Sequence, residues 1–135
     1  MRHIFKTCLE VASQKDIKLT FYVHEKYKEP FCRQILMLLI LHTTNYTYRE
    51  RTDLFLDIYG NSLLRDKTAI YIDKVVPYID SLISDETKFT SALQKYLLND
   101  NVFRIICLKE LKFKDRDEIV EVVRSWYSQN PFQIG

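Results

Sequence analysis

Apolar residues recur along this chain at helical spacing in most places and alternate in one. The opening residues, MRHIFKTCLEVAS, put Phe5, Cys8, Leu9 and Ala12 on one face of a helix that ends near Ser13. A polar turn over 14–18 follows. Residues 19–24, LTFYVH, change period: Leu19, Phe21 and Val23 alternate with Thr20, Tyr22 and His24, the repeat of a strand rich in β-branched and aromatic side chains. Pro30 suits a first helical turn, and residues 31–42, FCRQILMLLILH, are apolar almost all round, which predicts a buried helix.

Beyond a polar loop over 43–48, Leu54, Phe55, Ile58 and Tyr59 predict a helix that stops at Gly60-Asn61, because both residues tolerate the left-handed backbone. Asp66 is placed to cap the next helix. Its apolar stripe, running from Ala69 through Ile72, Val75, Val76, Ile79 and Leu82 to Ile83, contains Pro77, where one backbone hydrogen bond is lost and a kink is expected. Phe89, Ala92, Leu93, Tyr96 and Leu97 predict a short helix within the polar stretch 84–101. Residues 102–108, VFRIICL, read as a second strand or an extended crossing segment. Asp115 and Glu118 supply an N-cap and a capping-box partner for a last helix carrying Ile119, Val120, Val123, Trp126 and Tyr127, before a turn-like tail over 128–135.

The order helix, strand, helix, then mainly helices predicts one small, helix-rich α/β domain over 1–135. A lone strand cannot satisfy its own backbone, so 19–24 needs 102–108 or an upstream strand beside it. Without one, an open edge lowers stability and promotes association.

Composition narrows the function classes. With 47% hydrophobic and 13% aromatic residues, 135 positions suffice for a packed core. Twenty basic and eighteen acidic residues, well mixed, give a net charge of +2, which marks neither a nucleic-acid nor a membrane surface. Cys8, Cys32 and Cys107 are far apart and form no C-x-x-C pair, as expected of thiols in a reducing compartment rather than a disulfide or metal site. The start lacks a signal peptide's long apolar stretch, and the longest apolar run, 35–41, is far short of a bilayer span, so a cytoplasmic protein is expected. Gly60 is the only internal glycine. No glycine-rich loop can cradle a phosphate.

Several blocks, in order, carry a family resemblance. RHIFKT at 2–7, FYVHE at 21–25, the run 33–41, TDLFLDIYGNSLLR at 52–65, LKFKDRD at 111–117 and 123–126 resemble the amino-terminal domain of the dynein axonemal assembly factor 3 family over nearly the whole chain. The most specific parts are Gly60-Asn61-Ser62-Leu63-Leu64-Arg65 and LKFKDRD. The resemblance implies a cytoplasmic, non-enzymatic factor that acts through protein contacts in preassembly of axonemal dynein arms for motile cilia or flagella. Its implied partners are axonemal dynein subunits and other assembly factors or chaperones, with no nucleic acid or membrane. It also implies an incomplete Rossmann-like, methyltransferase-like core with few strands. A first strand and turn ahead of Arg2, and a long region after the tryptophan helix, belong to the family pattern but not to this sequence, which therefore resembles an internal part of that domain. The alternative function is an adenosylmethionine-dependent methyltransferase or a degenerate, inactive relative.

Under that alternative, Glu25 at the end of the strand is the cofactor-binding candidate, since an acid there accepts hydrogen bonds from ribose hydroxyls. The first strand and glycine turn that such a site requires are absent, and no cofactor is expected. His24 and Cys32 form no oriented base and nucleophile, and no catalytic or metal-ligating set has the needed spacing. The charge run 109–118, KELKFKDRDE, reads as a solvated helix start, and the nine tyrosines are too dispersed to be a base-stacking platform. Arg51 and Arg65, flanking the Gly60 turn, are the partner-facing candidates.

Overall fold

The nearly all-apolar run expected to be buried is the centre of the molecule. In the computed structural model, which describes residues 2–14, 16–60, 65–84 and 87–129, α2 (Lys28–Leu41) packs against α3 (Tyr48–Gly60) and α7 (Phe113–Gln129). The fourth wall is α4 (Asp66–Ile83), lying against α7 and α3. Three shorter helices, α1 (Arg2–Val11), α5 (Ala92–Leu97) and α6 (Val102–Ile105), complete the described elements. Cys32, Ile35, Leu36, Met37, Leu39 and Ile40 of α2 are all buried, each worth on the order of 2 kcal/mol of apolar transfer. From α4 come Tyr71, Ile72, Val75, Ile79 and Leu82, and from α7 Ile119 and Val123.

The architecture is all-α among the described residues, which corrects the expected α/β, Rossmann-like domain. Residues 17–25 run without turn, bend or helix but make no backbone pairing among the described residues. The alternate candidate, 102–108, begins as α6: Val102 is buried, and the Ile106 N–H closes a helical bond on Val102 O at 2.9 Å. Beyond α6, Ile106 turns extended, with φ −109° and ψ 117°, and Ile106 and Leu108 are buried, but 106–108 make no pairing with 17–25 among the described residues. One isolated bridge, Thr43 with Leu98, is the only β-pairing described.

Helix ends depart from expectation in an instructive way. None of α2, α3 and α4 carries a basic residue in its own last turn. Arginines from neighbouring helices reach those ends instead: Arg51 of α3 donates to Leu41 O, Arg33 of α2 to Ile58 O, and Arg116 of α7 to Ile83 O, each at 3.2 Å. Free carbonyls at a helix C-terminus favour a cation, so each contact stitches two helices while closing one. Asp66 and Asp115 are not caps but lie in the first turns of α4 and α7. The capping boxes are Thr47 with Glu50 at the start of α3 and Ser91 with Gln94 at the start of α5. Helix α3 is described as far as Gly60, which has no positive φ, and the expected stop at Gly60-Asn61 runs into residues 61–64, outside the described residues. Helix α4 continues through Pro77.

Candidate functional site

The junction of α3 and α4 concentrates most of the unusual chemistry. Leu54 and Ile58 turn one face of α3 into the core, and Asp57 lies on that same face, so its carboxylate is buried with an exposed fraction of 1%. A buried carboxylate must collect donors. Its Oδ2 accepts from the Thr68 hydroxyl at 2.6 Å and from the Arg65 backbone N–H at 3.1 Å, and Arg65 Nε approaches to 3.4 Å. Asp57 thereby does for the start of α4 what Arg65, at the cap position, does not do with its own side chain. Because the Arg65 side chain is 61% exposed, the two neutral donors hold the carboxylate more than the ion pair does.

Beside this junction is an open cavity of about 140 Å³, bordered by Tyr46, Glu50, Asp53, Leu54, Arg65, Lys67, Thr68 and Ile70. Arg65 spans its edge, donating through Nη2 to Asp53 O at 3.2 Å. Two carboxylates and two cations face an apolar floor. Two hydrogen bonds from Thr47, through its backbone N–H and its hydroxyl, hold the Glu50 carboxyl below its usual range, so it stays ionised. Such a mixed lining suits a polypeptide, with its alternating donors, acceptors and short apolar groups, better than a phosphate or a hydrocarbon.

The other sequence candidates are dispersed. Arg51 is turned inward: its Nη1 is bonded to Leu41 O, and its Nε is buried without a hydrogen-bond partner. Burial, and then the Arg51 charge, push the pKa of the nearby His42 down. Glu25 is half-buried at the end of the unpaired segment and accepts from Gln34 Nε2 at 3.4 Å. Cys32 is buried in α2, where burial first and Glu29 second raise its thiol to about 12, so no thiolate forms at neutral pH. His24 is exposed. Residues 61–64 of the Gly60–Arg65 block lie outside the described residues, as does the side chain of Trp126.

Sequence reading passed over Asp57. Its signal was a carboxylate three residues after Leu54 and one before Ile58, squarely on an apolar helical face. Among the described residues no group of three or more His, Cys, Asp or Glu could hold a metal ion, and no helix is long and apolar enough to cross a membrane.

Comparison with known proteins bears on this surface. Residues 1–64, spanning α1 to the end of α3, match the family described as a domain of unknown function (DUF4470). Dynein axonemal assembly factor 3 of Xenopus tropicalis is 30% identical over 132 residues, which cover 96% of this chain and 27% of that protein. The Xenopus laevis protein of the same name is 28% identical over 132 residues, covering 96% of this chain and 25% of its own length. A dynein axonemal assembly factor 3 homolog from Chlamydomonas reinhardtii is 27% identical over 123 residues, 82% of this chain and 16% of the algal protein. The chain thus spans about a quarter of the length of the curated frog relatives it matches. No solved structure matches it.

Proposed function

We infer that this chain, whose curated homologues are named dynein axonemal assembly factor 3, takes part in assembling axonemal dynein arms, working in the cytoplasm through protein contacts rather than catalysis. The observation that carries this reading is the similarity along 96% of the chain in a frog protein and 82% in an algal one. The lining of the α3–α4 junction supports that surface as the place of contact. Arg65 and Lys67, with Glu50 and Asp53 beside them, present charges of both signs around Leu54 and Ile70, a lining matched to a polar peptide segment of a dynein subunit, a chaperone or another assembly factor. Arg65 is the contact residue, and Arg51 holds the α2–α3 corner behind it.

Disrupting the gene in cells that build motile cilia should leave axonemes lacking dynein arms in electron micrographs, whereas a full set of arms would overturn the reading. For the surface itself, Arg65→Glu with Lys67→Glu should reduce co-purification of dynein subunits about tenfold or more, while the helical circular dichroism is kept. Unchanged co-purification would move the contact elsewhere on the molecule.

A further inference from the structure

We propose that residues 17–25 form an antiparallel two-stranded ladder with the same residues of a second copy of this chain. Three observations support the pairing. The segment runs nine residues without bend or turn, and none of its backbone groups makes a backbone hydrogen bond among the described residues. Its side chains already have strand sidedness: Leu19 and Phe21 are each 39% exposed, while Tyr22, between Phe21 and Val23, is 93% exposed. It therefore offers two open rows of N–H and C=O groups on a segment whose inner face is partly supported, the condition under which strand addition succeeds. An isolated ribbon of two strands is marginal, but here each strand rests on its own helical body.

Charge and length select one register. A two-fold axis through Phe21 sets Phe21 against its copy and Leu19 against Val23, and it pairs all nine unbent residues. It also sets Asp16 against Lys26, once on each side of the axis. Shifting the axis to Tyr22 places Lys18 against Lys26 and Leu19 against Glu25. Shifting it to Thr20 leaves residues 24 and 25 opposite the turn, where Asp16 has a φ of 68°. Only the Phe21 register unites apolar pairing, opposite charges and full length. This self-association lies beyond the assembly role proposed above and does not depend on it.

Sedimentation of the intact protein should show a species of twice 16.2 kDa that dissociates on dilution. Amide exchange within 17–25 should be slowed at every second residue, the pattern of one paired edge. Phe21→Pro and Tyr22→Pro, made separately, each delete an N–H from one of the two edges, so one of them should abolish the dimer. Lys26→Asp should weaken it about tenfold by facing Asp16 with a like charge twice. Adding Asp16→Asn, which tolerates the same positive φ, should recover most of that loss. A protein that stays monomeric with freely exchanging 17–25 amides would overturn the proposal. So would protected amides in a monomer, which would mean the edge is filled from within the chain, and so would a dimer indifferent to all these changes.

Discussion

The first 25 residues and the four-helix centre carry equally good apolar patterns and meet opposite fates. Helix α1 is more sharply one-sided than α2, yet none of its residues is buried, whereas six of the fourteen residues of α2 are. The strand-like alternation at 19–24 is the clearest in the chain, and those residues are all exposed. A one-sided pattern records what a segment must cover, not what covers it. Helix α2 is apolar around its whole circumference and so demands several neighbours, which α3 and α7 supply. Helix α1 demands one neighbour: Phe5 meets Phe55 with ring centres 5.7 Å apart, and Ile4, Phe5, Thr7 and Val11 are only half-buried.

Truncation should expose that contrast most strongly. Leu39→Ala, at a side chain with no exposure, should cost about 2–5 kcal/mol in urea unfolding, while Leu9→Ala on α1, 77% exposed, should stay within about 0.5 kcal/mol. Equal losses at the two sites would break the comparison. Next in size is Asp57→Ala, which orphans the Thr68 hydroxyl and the Arg65 N–H and should destabilise by about 2–3 kcal/mol. Asp57→Asn, still an acceptor, should lose less.

Acid should act through His42. Its folded pKa lies below the ordinary 6.5, so the neutral form is favoured on folding. The unfolded chain then binds more protons, and the stability present above pH 6.5 is lost as pH falls from there toward the folded pKa. Unfolding midpoints taken from pH 7.5 down to 5 should show this slope, and His42→Gln should flatten it. Smallest is Gly60→Ala. A Cβ there meets nothing within 4 Å among the described residues and φ is not positive, so alanine should be neutral or stabilising by up to about 1 kcal/mol. A clear destabilisation would restore the left-handed stop expected from sequence.

Much of the core was legible because its signals are local. The buried character of α2, the stripe of α4 and the short helix at 92–97 follow from periodicity alone. The strands were misread because strand formation is a property of pairs: LTFYVH has the pattern, but the chain commits the start of its other apolar run to α6. Arg51 and Asp57 were opaque for a related reason. A charge beside a turn reads as surface, and only the approach of the α2 C-terminus makes Arg51 a closing group. Likewise, only the docking of α4 turns an acid on the face of α3 into the anchor of their junction. Arg65, with its side chain 61% exposed, borders the cavity at that junction.

Native-state amide hydrogen exchange on the intact protein tests the division between self-sufficient centre and waiting amino terminus most directly. Amides in the middle of α2, α4 and α7 should exchange only through global unfolding, with the full dependence on denaturant, while those of α1 should exchange through local openings that denaturant barely affects. Amides of α1 as slow as those of α4, and with the same dependence, would contradict it.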